Sequence, residues 1–173
     1  MAITLATTDG FYHAVPIQAP AALVVAAFFD SRALAAWWDV ATAVALPRPL
    51  GPYALQWPAT EDRDEVFGAL GGAFHGTVLD YRASHGFLVA DAYWLPRESD
   101  PVGPMALEVQ CSPLDRPGAS SPGTLLRVSQ RGGDDTPRWL RYYELLGSSW
   151  PGALTRLKEY LEHGQGVWDL RNC

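Results

Sequence analysis

The feature that most constrains this chain lies near its C-terminal end. Trp139, Tyr143, Leu146, Trp150, Leu154, Leu157 and Leu161 recur at spacings of 4, 3, 4, 4, 3 and 4. In a helix of about 3.6 residues per turn, such spacing puts all of them on one face. The positions between carry Arg138, Arg141, Glu144, Arg156, Lys158, Glu159 and Glu162. The pattern predicts one amphipathic helix over 138–161 whose apolar face needs a partner. Pro151 lies inside it. A proline there removes the bond to the carbonyl of Gly147 and costs about 3 kcal/mol relative to alanine. Burial of the apolar face must outweigh that cost. Gly147 makes a kink easy, and a bent helix can wrap a curved surface. Gly164 and Gly166 end the helix and leave a tail holding Trp168.

The rest of the chain supplies that surface. In Phe11 to Gln18, residues Phe11, His13, Val15 and Ile17 share one parity, as in a strand. Pro16 cannot donate to a ladder, so this strand is expected to lie at a sheet edge or to end there. Pro20 sits near the start of a short helix through AALVVAAFF. Asp30 or Ser31 can cap a second helix, Arg32 to Trp38. Val40 to Leu46 reads as partly β-branched and extended. Tyr53, Leu55 and Trp57 alternate with Ala54, Gln56 and Pro58, as a half-buried strand does. Ala59 to Gly72 reads as a loop. Strands follow at Phe74–Tyr81, Phe87–Trp94, Met105–Cys111 and Thr124–Gln130. Their separators, LPRESDPVGP, SPLDRPGASSPG and RGGDDTP, are rich in turn residues and predict hairpin connections.

The expected fold is therefore α+β. A curved antiparallel sheet of about seven strands wraps a long kinked C-terminal helix, with two short helices after the first strand. A lone antiparallel sheet has one face to bury, and the long helix is its cover. A strongly curved sheet around a helix encloses a cavity. No repeat or dividing linker is visible, so residues 1–173 are expected to form a single domain with its core over about 9–163.

Charge narrows the partners. The chain carries 13 basic and 19 acidic residues, a formal net charge of -6, and no basic cluster. Nucleic acid and anionic membranes are expected to be excluded, because both are bound largely through Lys and Arg. The first basic residue is Arg32, so the charged start of a signal peptide is missing. The longest apolar run, Ala21 to Phe29, is far shorter than the ~20 residues of a membrane span. A cytoplasmic location is expected. Cys111 and Cys173 make neither a disulfide framework nor a zinc set.

Four local motifs stand in one order. APAALVVAAFFDSRALAAWW (Ala19–Trp38), GTVLD (Gly76–Asp80), GTLLRVSQ (Gly123–Gln130) and WPGAL with RLKEYL (Trp150–Leu161) resemble the START/Bet v-type helix-grip superfamily, also called SRPBCC. Within it they resemble the AHSA-type branch, named for the activator of heat-shock-protein-90 ATPase. The likeness spans roughly residues 9 to 163. It implies a helix-grip fold and a cavity between sheet and helix. Members of the branch often carry His where Gln130 stands. The co-chaperone that resembles this domain has an additional N-terminal domain for gripping the chaperone, and this chain has only about ten residues before Phe11. The resemblance therefore does not imply co-chaperone activity.

Several residue types point to chemistry. Trp37 and Trp38 are adjacent on a helix and leave it about 100° apart; the pair reads either as core packing with one ring partly exposed or as a lid or cavity-mouth aromatic, and both are candidate ligand contacts. Tyr53, Trp57, Tyr93, Tyr142 and Trp150 are amphipathic aromatics expected to face the cavity, with Leu146 from the helix stripe and Gln130 from the last strand. Together they favour an apolar, ring-containing or lipid-like ligand, oriented by hydroxyl and indole donors. His13 shares the parity of Val15 and Ile17, which fits a hydrogen-bonded core histidine or a ligand contact. His75 and His85 could approach across a hairpin, but no third ligand is evident and no metal site or cofactor is expected. Asp62, Asp64 and Glu65 read as a solvated turn. Asp80 and Asp91 fall within strands. Glu108 and Arg127 are expected to pair across strands on the outer face. The G-x-S-x-G pattern is missing, and Gly68 to Gly72 lacks the following helix that a phosphate cradle needs.

The leading expectation is a protein that holds a hydrophobic small molecule in a cavity between sheet and C-terminal helix. One alternative is a polyketide cyclase/dehydratase-like enzyme using a buried acid–base pair among His13, Asp91 and Tyr93. Another is a stress-related partner of heat-shock protein 90. A homodimer is kept open as the assembly.

Overall fold

The computed structural model describes residues 3–7, 10–115, 117–118 and 122–163, with backbone alone over 3–7. The elements are β1 (Ile3–Thr7), β2 (Gly10–Ile17), α1 (Ala21–Ala26), α2 (Ser31–Trp38), β3 (Thr42–Ala45) and β4 (Pro52–Trp57). Then come β5 (Arg63–Asp64), β6 (Gly68–Ala69), β7 (Gly72–Arg82), β8 (Gly86–Leu95), β9 (Val102–Leu114), β10 (Gly123–Gly132) and α3 (Pro137–His163). A curved antiparallel sheet runs in the order β1-β2-β10-β9-β8-β7-β4-β3, and β5 pairs only with β6. This is the predicted α+β architecture. The seven predicted strands are all in the sheet, and β1 adds an eighth. The predicted loop after β4 contains the β5–β6 hairpin. The predicted helix end at Gly164 and Gly166, the tail with Trp168, Cys173 and part of the β9–β10 connection lie outside the described residues.

One expectation is corrected by β1. The strand holding Pro16 is not at the edge, because β2 has β1 on one side and β10 on the other, although it does end one residue later, at Ile17. The proline is tolerated for a local reason. β1 pairs with β2 only as far as Ala14, so Pro16 lies beyond it. The N and C=O of one strand residue point the same way. The Pro16 carbonyl accepts from Lys158 Nζ of α3 at 2.7 Å. The nitrogen that cannot donate therefore faces a side where, among the described residues, no strand runs.

The helix pair forms where the sequence places it. Pro20, in extended conformation, stands at the N-cap of α1. Asp30 caps α2, its Oδ1 accepting from Ala33 N at 2.8 Å. Asp39 ends α2 in a left-handed conformation (φ 57°). In the sheet, register shifts fall between His75 and Thr77 and between Val78 and Asp80 in β7, and around Ala92 in β8. Bulges of this kind bend strands and raise twist, which curves the sheet. Gly76 sits at one of them. A Cβ there would lie 2.6 Å from Val89 Cγ1, so the close crossing of β7 and β8 needs a glycine. Asp91, with φ 49°, sits at another.

The core fills the concave side. Phe11, Ile17, Phe28, Trp37, Tyr53, Leu55, Leu107, Leu126 and Leu154 are fully buried. From the predicted helix stripe, Tyr143, Trp150, Leu154 and Leu157 are buried, while Trp139, Leu146 and Leu161 are half-buried. Tyr142 and Ala153 form a second buried column beside that stripe. None of the described helices is long and apolar enough to cross a membrane. On the outer face the expected Arg127–Glu108 pair does not form. The register sets Arg127 opposite Gln110. Arg127 donates to Ser112 Oγ at 2.9 Å, and Glu108 accepts from Gln110 Nε2.

Candidate functional site

A cavity of about 380 Å³ lies between α3, the end of α2 and the inner ends of β4, β7, β8 and β10. Four indoles border it: Trp38, Trp57, Trp94 and Trp150. Three of them are in contact through Trp38, and Trp94 packs instead against Phe67 and Tyr142. The Trp38 ring stacks on Trp37 at 4.8 Å and 11°, meets Trp57 edge-on at 5.2 Å, and lies 4.6 Å from Trp150. Two of the indole N–H groups serve the frame. Trp57 Nε1 donates to Trp38 O and Trp94 Nε1 donates to Gly71 O, each at 2.9 Å. These two rings offer apolar surface rather than the expected indole donors. Phe74, Leu146 and Ala153 complete the apolar wall.

The polar groups sit at two levels. Inside, Tyr142 and Gln130 are both buried. Tyr142 Oη donates to Gln130 Oε1 at 2.8 Å and lies 3.2 Å from Met105 Sδ. Burial first, and then the neighbouring Tyr143, push the Tyr142 phenol well above its ordinary value, so it stays protonated as a donor. At the mouth, Arg156 donates from Nε to Trp37 O at 3.0 Å and pairs with the exposed Asp39 carboxylate at 3.2 Å.

One wall is a strap. Thr60, Leu70 and Gly71, on the segment bearing β5 and β6, border the cavity. Asp64 fastens this segment to α3. Its Oδ2 pairs with Arg141 at 2.7 Å, and its Oδ1 accepts from Val66 N and Phe67 N. Burial alone would raise the Asp64 pKa. The Arg141 hydrogen bond, the two backbone N–H groups and the guanidinium charge outweigh it and hold the carboxyl below its ordinary value. The expected solvated turn is thus wrong at Asp64 and right for Asp62 and Glu65, which are exposed. Arg63 and Glu98 form a second fastening, exposed and bidentate.

No family model matches the sequence, and no curated protein matches it. Solved structures do match. A crystal structure of a protein from Rhodobacter sphaeroides is 15% identical, with 93% of this chain and 98% of that chain covered at a TM-score of 0.67. An NMR structure of a protein from Arthrobacter aurescens is 12% identical, with 100% and 97% covered at 0.67. The solution structure of the Aha1 dimer from Colwellia psychrerythraea is 15% identical, with 90% and 97% covered at 0.57. Identities this low carry the fold alone. The likeness runs along nearly the whole chain and includes the antiparallel sheet gripping a C-terminal helix. The chain has the helix-grip fold.

The helix-grip cavity gathers six of the residues singled out in the sequence: Trp38, Trp57, Gln130, Tyr142, Leu146 and Trp150. The other four lie elsewhere. His13 is buried and stacks with Phe11 at 6.4 Å and 5°, and burial lowers its pKa. Trp37 is fully buried behind Trp38 and donates to Ala27 O. Tyr53 is fully buried and donates to Phe28 O at 3.1 Å. Tyr93 turns to the outer face, against the exposed His75 at 5.8 Å. Its neighbour Trp94 takes the inner place. The sequence reading puts Tyr93, and not Trp94, toward the cavity. The bulge at Asp91 shifts the parity, and an Asp inside an apolar strand was the available signal. Phe74, Ala153 and Arg156 were also missed. Among the described residues no group of three His, Cys, Asp or Glu converges on a metal position. Cys111 is buried and its thiol is pushed up to about 12 by that burial.

Proposed function

We propose that this helix-grip protein holds an apolar, ring-containing small molecule in the cavity between sheet and α3. Trp38, Trp57, Leu146 and Trp150 form its apolar walls, and Gln130 with Tyr142 its polar end. The observation that carries the reading is that four indoles border one cavity of about 380 Å³. A cavity of this volume falls in the range of small-molecule sites. Burying roughly 200 Å² of apolar ligand surface contributes about 5 kcal/mol before ordering costs. His13, Trp37 and Tyr53 support the walls from behind.

The cyclase/dehydratase reading has less support. It needs an acid–base pair in the cavity, and His13, Asp91 and Tyr93 do not border it. The chaperone-partner reading rests on a fold likeness alone. The Aha1 neighbour is a dimer, which makes a homodimer the assembly to test by sedimentation.

Titration with anilinonaphthalene sulfonate, read by energy transfer from tryptophan, tests the proposal. One saturable site per chain is expected, weakened at least tenfold by Trp38→Ala. Absence of a saturable site would end the proposal.

A further inference from the structure

Gln130 carries more information than the apolar walls. It is 3% exposed, and it stands on the inward parity of β10 with Leu126 and Val128. Its side-chain carbonyl is taken by the Tyr142 hydroxyl. The phenol has two acceptors in reach, a carbonyl oxygen at 2.8 Å and the Met105 thioether at 3.2 Å. A thioether accepts only weakly, so the proton goes to Gln130 Oε1. That bond fixes which way round the amide sits. Among the described residues, nothing accepts from Gln130 Nε2. Every described side-chain N or O that is cut off from solvent has a hydrogen-bond partner. Nε2 has none, so it reaches accessible space, and the space beside Gln130 is the cavity.

We infer that the bound molecule carries a hydrogen-bond acceptor, a ketone or similar carbonyl, at its inner end, received by Gln130 Nε2 while Tyr142 holds the amide. This rests on the cavity reading and adds the ligand's chemical class. The inner donor selects because a buried amide left unpaired is penalised, so a pure hydrocarbon of the same shape binds less well.

Three planar tricycles of one shape separate the outcomes: fluorenone offers an acceptor, fluorene offers neither group, and carbazole offers a donor. Each is measured by displacement of anilinonaphthalene sulfonate from the wild-type chain. Fluorenone is expected to bind roughly three- to tenfold more tightly than fluorene, the worth of one net hydrogen bond. Carbazole is expected to bind no better than fluorene. In Gln130→Leu the ratio of fluorenone to fluorene is expected to fall to about one. The wild-type comparison needs no substitution, so it decides even if that variant fails to fold. Equal binding of all three would overturn the inference and leave the cavity reading standing. Tightest binding of carbazole would also overturn it, by showing the carbonyl turned inward. Failure of every tricycle to displace the probe would overturn both.

Discussion

Two adjacent tryptophans divide structure from binding. Trp37 is fully buried, donates to Ala27 O and meets Phe28 edge-on. Trp38 covers it and faces the cavity. Trp37→Ala is expected to lower stability by about 3–5 kcal/mol, read as a fall in the urea midpoint. Two buried titrating groups contribute to the acid side of the stability profile, where Glu98, Asp134 and Glu162 are also held below their ordinary values. The His13 pKa is lowered in the folded chain. As pH falls through about 6.5 the unfolded chain takes up a proton that the folded one refuses, so stability falls with pH from there to the folded value. Asp64 is also depressed. Its contribution is present above the ordinary value of 3.8 and is lost as pH falls through the lower folded value. Stability measured against pH is expected to lose the slope just below pH 6.5 in His13→Phe and to show a shallower acid slope in Asp64→Asn, where Glu98, Asp134 and Glu162 still contribute. Unchanged slopes would contradict these assignments. Part of this scale was legible: Trp38, Trp57, Gln130, Tyr142 and Trp150, singled out by residue type and element, do border the cavity. Tyr93 was misread because one bulge reverses every parity after it. Asp64 was misread because its partner, Arg141, is remote in sequence.

At the scale of elements, α3 needs the sheet and the sheet needs α3. The 4-3-4 spacing predicted the helix because periodicity of burial is local information. The spacing did not predict that Tyr142 and Ala153 form the cavity column, because that depends on what the helix faces. The α2 boundary was legible through Asp30. Asp30→Ala is expected to cost about 1 kcal/mol in chemical denaturation through loss of the bond to Ala33 N. A loss under a few tenths would mean the backbone geometry alone starts the helix. The β5–β6 strap reads as a loop in the sequence because two-residue strands leave almost no pattern. Its place is fixed from outside, by Arg141 on α3 and by Glu98.

For the whole molecule, sheet order and curvature turn these pieces into a cavity. The bulges in β7 and β8 bend the wall, and the proline-bearing helix lies across it, leaving room between four indoles. If that room is the binding site, filling it from α3 must exclude the ligand without undoing the fold. Leu146 is half-buried and borders the cavity, so a larger ring there can enter the space. The decisive measurement is the affinity of Leu146→Trp for anilinonaphthalene sulfonate, beside its urea midpoint. We predict at least a tenfold loss of affinity with the midpoint nearly unchanged. Undiminished binding by a folded variant would contradict the claim that the cavity is where this protein takes its ligand.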